Sequence, residues 1–103
     1  MIVVTVLYPT QAGSRFDQTY YMQKHMPLVR SRWKDMGLQE ARVLRGAGTP
    51  DGSAPPFQMM AVLTFSSLQD FQACAAKHGA EIFADVPNFT NIQPVVQLNE
   101  PLG

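Results

Sequence analysis

One cysteine, one tryptophan and no run of like charge are what this 103-residue sequence has to offer in those categories, and each scarcity excludes something. Cys74 has no partner for an internal disulfide, so a buried thiol in a reducing compartment is the plain expectation rather than a cross-linked secreted scaffold. No apolar stretch approaches the ~20 residues that a membrane-spanning helix needs. Met1 leads directly into strand-like sequence rather than into a charged-then-apolar leader. A cytoplasmic protein with no membrane partner is the resulting expectation. Eight Lys and Arg balance eight Asp and Glu to a formal net charge of zero. That leaves no basic stripe to neutralise phosphates, so nucleic acid is not an expected partner. A dinucleotide glycine fingerprint, a P-loop and a paired-cysteine zinc motif are all missing as well.

The length suits one domain spanning residues 1–103, with one modest core. Ile2 to Tyr8 is β-branched and aromatic on both alternating faces, which predicts a central strand buried on both sides. Pro9 to Ser14 reads as a turn, with Ser14 or Asp17 available to cap a helix. The helical unit runs from about Arg15 to Met36 and Gly37 closes it. Leu38 to Gly46 is a more charged strand suited to an edge. Ala47 to Pro56, with its glycines and prolines, is a loop. Phe57 to Phe65 is a third strand, and Ser66 or Ser67 caps a second helix that Gly79 is expected to bend or end. A last strand is predicted over Phe89 to Leu98, at an edge or a bulge because Pro94 removes a ladder donor. This β-α-β-β-α-β order is the ferredoxin-like α+β arrangement: a four-stranded antiparallel sheet with two helical units on one face. Two helices cover only one face, which leaves Met60, Val62 and one side of the first strand open. An apolar face of that extent calls for a partner, and a homodimer closed sheet to sheet would bury it.

The stretch Phe16 to Leu28 concentrates the chemistry. Tyr21 and His25 are spaced i,i+4, so one helical face carries both. Met22, Met26, Val29, Trp33 and Met36 form an apolar stripe on another face, read as core and not as a cofactor box. Pro27 lacks the N–H that would bond the Gln23 carbonyl and should push Met26 out of helical geometry. Either a kink, or a stop near His25 and a second helix with Pro27 in its first turn, is therefore expected, which would set the imidazole at a helix C-terminus where the dipole favours its charged form.

Three segments carry a resemblance to a known family: Val4-Thr5-Val6-Leu7-Tyr8-Pro9, the stretch from Phe16-Asp17 through Tyr20-Tyr21 to His25-Met26-Pro27-Leu28-Val29, and Ala84-Asp85-Val86-Pro87-Asn88-Phe89-Thr90. In these the chain resembles the EthD family, within the dimeric α/β-barrel superfamily. The resemblance implies that fold over the whole chain, a homodimer, and a place in the degradation of ethers or aromatic compounds. Phe89 stands where tyrosine is often expected, which removes a hydroxyl there.

His25 with Tyr21 is the candidate acid/base pair, against the alternative of a histidine that ties down the turn at Pro27. Tyr20, Met60, Val62, His78, Asp85, Asn88 and Thr90 are expected to line a small apolar or aromatic ligand. His78, Glu81 and Asp85 share a helical face only if Gly79 does not interrupt it. A solvated face is their simpler explanation, and no metal site is assigned. Asn88, Thr90 and Asn91 follow Pro87, where turn chemistry explains them equally well. Two functional readings stand. One is cofactor-free isomerase, cyclase or monooxygenase chemistry at His25, implied by the resemblance. The other is a non-catalytic accessory or carrier protein.

Overall fold

The structure is a computed structural model that describes residues 1–103. Strand β1 (Ile2–Pro9) lies between β3 (Phe57–Phe65) and β4 (Val95–Asn99), with β2 (Leu38–Arg45) beyond β3. All pairings are antiparallel. The order β2-β3-β1-β4 is that of the ferredoxin-like fold, with the two most apolar strands at the centre as their composition demands.

Helix α1 occupies residues 18–33 and helix α2 is Leu68–Ala84. The Asp17 carboxylate accepts from the Tyr20 N–H and the Ser67 hydroxyl accepts from the Asp70 N–H, so each helix begins on a side-chain cap. After a 3₁₀ turn at Lys34–Met36, Gly37 takes φ +109°, and a Cβ there would collide with the Asp70 side chain.

Helix α1 does not stop at His25. Residues Tyr21–His25 form a π-helical turn in which the Met26 N–H bonds the Tyr21 carbonyl, five residues back. Met26 keeps helical angles (φ −65°, ψ −38°), contrary to the expectation that Pro27 would displace it. The proline falls in the first turn of the α-helical stretch Met26–Trp33, where a missing N–H costs least. His25 is thus mid-helix, away from any C-terminal dipole. The wide turn also changes which residues face inward. Tyr21 and His25 join Met26, Val29 and Trp33 in the core, while Met22 is turned out and 41% exposed.

Two further expectations need correction. Helix α2 continues through Gly79, which is buried with room around it for helical packing. The last strand is shorter than predicted: Phe89 to Gln93 is irregular apart from a Phe16–Thr90 bridge, and Pro94 immediately precedes β4. The edge placement expected for this strand holds, since β4 pairs only with β1.

Both helices pack on the face formed by Ile2, Val4, Tyr8, Met59, Ala61, Leu63 and Phe65. The opposite face, with Val3, Leu7, Met60 and Val62, has no covering layer in a chain only 19 Å across its thinnest direction. No helix is long and apolar enough to cross a membrane.

Candidate functional site

Between the helices and the sheet lies an apolar cavity of about 60 Å³. Its walls come from β1, α1, β3 and α2, and His25 is the one ionisable nitrogen among otherwise aliphatic and aromatic residues. Phe83 and Val96 line it as well and are 50% and 41% exposed, which places its mouth between the end of α2 and strand β4.

His25 is held from three sides. Its ring lies nearly parallel to that of Tyr21, with centroids 5.5 Å apart, and the Phe89 ring closes on it at 4.6 Å. Its Nδ1 hydrogen-bonds Asp85 Oδ2 at 3.0 Å across sixty residues of sequence. The other carboxylate oxygen of Asp85, Oδ1, accepts from the Tyr20 hydroxyl at 2.7 Å and from the Asn88 amide at 2.9 Å. Burial pushes the Asp85 carboxyl up, but the hydrogen bonds from Asn88, Tyr20 and His25 outweigh it and leave it below the ordinary carboxylate value. Burial draws the His25 imidazole below its ordinary value of 6.5, and Asp85 opposes that only in part. The resting pair is therefore a carboxylate and a neutral imidazole. A carboxylate only accepts, so the imidazole proton sits on Nδ1 and Nε2 keeps its lone pair. No protein group bonds Nε2. A base with its tautomer fixed by a carboxylate, set in an apolar wall, can take a proton from a bound molecule.

The residues expected from sequence separate into distinct groups. Tyr21 touches His25 by ring stacking, with no hydrogen bond between them, and it lines the cavity. Tyr20, Asp85 and Asn88 come together, but around the histidine and not in the cavity wall. Met60 and Val62 are on the open sheet face, on the far side of the sheet from the cavity. His78 lies 3.8 Å from Glu81, which also binds the Arg32 guanidinium in two hydrogen bonds on the surface. Asp85, the residue immediately after that helix, has turned to His25, so the three do not form a cluster. Thr90 is buried with its hydroxyl already committed, donating to the Arg15 carbonyl and accepting from the Ile92 N–H. Asn91 is likewise used in pinning the Gly13–Arg15 segment. Sequence reasoning missed Tyr8, read only as strand core, and Phe83 at the cavity mouth. It also missed the pairing of Asp85 with His25. The one sign of that pairing was the presence of both residues in the segments that carry the family resemblance.

Comparison with known proteins bears out the family resemblance. The EthD domain matches residues 12–93. An EthD-like protein from Ralstonia eutropha JMP134 is 39% identical, with 99% of this chain and 92% of that one covered and a TM-score of 0.90. An EthD-family protein from Bacillus halodurans C-125 is 21% identical over 99% of both chains, with a TM-score of 0.78. At 10% identity the fold alone is shared with SnoaB, a cofactor-independent oxygenase from Streptomyces nogalater, covering 99% and 92% of the chains with a TM-score of 0.64. No curated protein matches. A match across most of the chain, with a relative this similar along its whole length, makes the protein a member of the EthD family.

Proposed function

We propose that this EthD protein is a small enzyme acting on an apolar or aromatic organic molecule, with His25 Nε2 as the general base. The observation that carries the reading is the His25–Asp85 pair: a buried imidazole whose tautomer is set by a carboxylate, in the wall of an apolar cavity. Proton removal next to a carbonyl, or from a phenol or enol, is the shared first step of isomerisation, of cyclisation and of direct oxygenation of an electron-rich ring. An imidazole performs it without a bound cofactor, and a well-placed base contributes about 10²–10⁴-fold in rate. Tyr20 and Asn88 act as positioning residues through Asp85, and Tyr21 and Phe89 clamp the ring. The shared fold with a cofactor-independent oxygenase supports this class of chemistry, and the family supports a role in degradative metabolism.

The reading includes a homodimer closed through the open sheet face. Val3, Leu7, Met60 and Val62 sit centrally there, flanked by Leu44 and Val95, which are 42% and 50% exposed. A second copy would give both sheets the layer each lacks.

The test is hydrogen–deuterium exchange into a panel of phenols, enol-lactones and polycyclic quinols, followed by NMR, with the wild type and His25→Gln. Enzyme-dependent exchange in at least one compound, reduced 10²-fold or more by the substitution, is expected. Equal exchange in the variant would remove His25 from the chemistry.

A further inference from the structure

Outside the imidazole, two polar groups on the cavity wall are left over. Tyr8, at the end of β1, and Tyr21, in the π turn, are each only 1% exposed and both line the cavity. Their rings meet edge to face at 5.9 Å. Neither hydroxyl makes a hydrogen bond. The rest of the core does not behave this way: the Trp33 Nε1–H donates to the Cys74 carbonyl, and Thr90 uses its hydroxyl twice. No side-chain nitrogen or oxygen in the chain is sealed from all free space without a partner. The two phenol groups therefore keep accessible surface, and both residues are part of the cavity lining. Buried hydroxyls are normally paired, so a pair left open on one wall needs a reason.

We propose that the Tyr8 and Tyr21 hydroxyls together bind the oxygen of the substrate that becomes negatively charged when His25 removes its proton. This deepens the proposed function and rests on it. The proton leaves an O–H or C–H group for Nε2, forming an imidazolium beside the Asp85 carboxylate. The electron pair left behind is delocalised onto the oxygen, which accepts from two O–H donors. Burial holds both tyrosine hydroxyls well above the ordinary phenol range, so they stay protonated and serve as donors. No cationic side chain lines the cavity. A molecule that arrives already charged, such as a carboxylate or a phosphate, would lose its hydration with no cation to offset the loss and would bring no proton for Nε2. The substrate class is therefore a neutral phenol, enol or ketone whose acidic proton and oxygen belong to one conjugated system. The cavity is smaller than the roughly 150 Å³ that holds a benzene ring, so such a ring extends through the mouth between Phe83 and Val96.

A nitrophenol, whose ionised form absorbs in the visible, tests this when titrated into the full-length protein below the probe's own pKa. The wild type is expected to bind it in the ionised form, and Tyr8→Phe and Tyr21→Phe are each expected to weaken that binding by about ten- to a hundred-fold. Binding of toluene, which has no oxygen to accept a hydrogen bond, should not be weakened in either variant, and benzoate should bind far more weakly than the phenol. His25→Gln should still bind the probe, but in its neutral form. If both phenylalanine variants bind nitrophenolate as the wild type does, the tyrosine pair is overturned while the base survives. If the wild type binds only neutral phenol, unaffected by His25→Gln, the base is overturned, and weaker binding by the phenylalanine variants still supports the pair. Failure of the wild type to bind any phenol, or tight benzoate binding, overturns the inference outright.

Discussion

Replacing Asp85 by alanine removes the acceptor for three donors, but the three losses are unequal. Asn88 is exposed and the Tyr20 hydroxyl lies at a half-buried position, so water can replace the carboxylate for both. His25 is 4% exposed, and its Nδ1–H is stranded. A hydrogen bond to a charged group is worth about 1.5–3 kcal/mol, and a buried donor left unmade forfeits most of it. For a domain of this size that corresponds to a fall in Tm of roughly 10 °C. The same substitution lifts the only influences that raise the His25 pKa, leaving burial unopposed, so the imidazole should become still harder to protonate. It also frees the tautomer, moving part of the proton to Nε2 and weakening the base. Asp85→Asn keeps one oxygen for Nδ1–H, so it should cost less stability than alanine while still weakening the base. Thermal unfolding by circular dichroism and long-range ¹⁵N–¹H spectra of the His25 ring read these effects separately. An unchanged Tm in the alanine variant, or a His25 pKa that rises, would refute the reasoning.

Acid should destabilise the fold in two stages. His25 is harder to protonate folded than unfolded, so stability is complete above about 6.5 and falls as pH drops below that value; Asp85, also depressed, adds a second loss below about 3.8. Urea unfolding across pH should show both, and His25→Gln should abolish the upper stage and reduce the lower one, because the histidine is one of the donors that hold the Asp85 carboxyl down. Val62→Lys puts a charge at the centre of the open sheet face: the wild type is expected to sediment as a dimer and the variant as a monomer, with the far-ultraviolet spectrum unchanged. Phe83→Ala opens the cavity mouth and should speed association of bulky aromatic ligands several-fold in stopped-flow mixing; it should cost little stability, because half of that side chain is already in water. Tyr8→Phe deletes a hydroxyl that bonds nothing, so its Tm should match or exceed that of the wild type, which a lost structural hydrogen bond would not permit.

The element order, the two central strands and the turn at Gly37 were legible in the chain, and each helix cap was narrowed to two residues, of which the fold uses Asp17 and Ser67. Each rests on contacts between near neighbours, repeated at the period of a strand or a helix, or on one residue's backbone preference. The same local reading placed Pro27 in the first turn of a helical stretch, as found, but misjudged its effect on Met26 and the effect of Gly79 on the second helix. It weighed a proline or a glycine against an isolated helix, whereas packing on the sheet holds both helices together and a π turn absorbs the irregularity. That turn then changed which side chains face inward, moving Tyr21 and His25 into the core and Met22 out of it. Asp85 illustrates the larger limit. By its spacing it belonged with His78 and Glu81 on one helical face, yet sixty residues separate it from the histidine it orients. Nothing periodic links two such positions. Their meeting depends on how the end of α2 comes down beside the middle of α1 on the sheet they share, and only the packed fold determines that. The sequence determined which side chains were available for chemistry; the tertiary structure decided which imidazole, carboxylate and pair of phenols would surround one cavity.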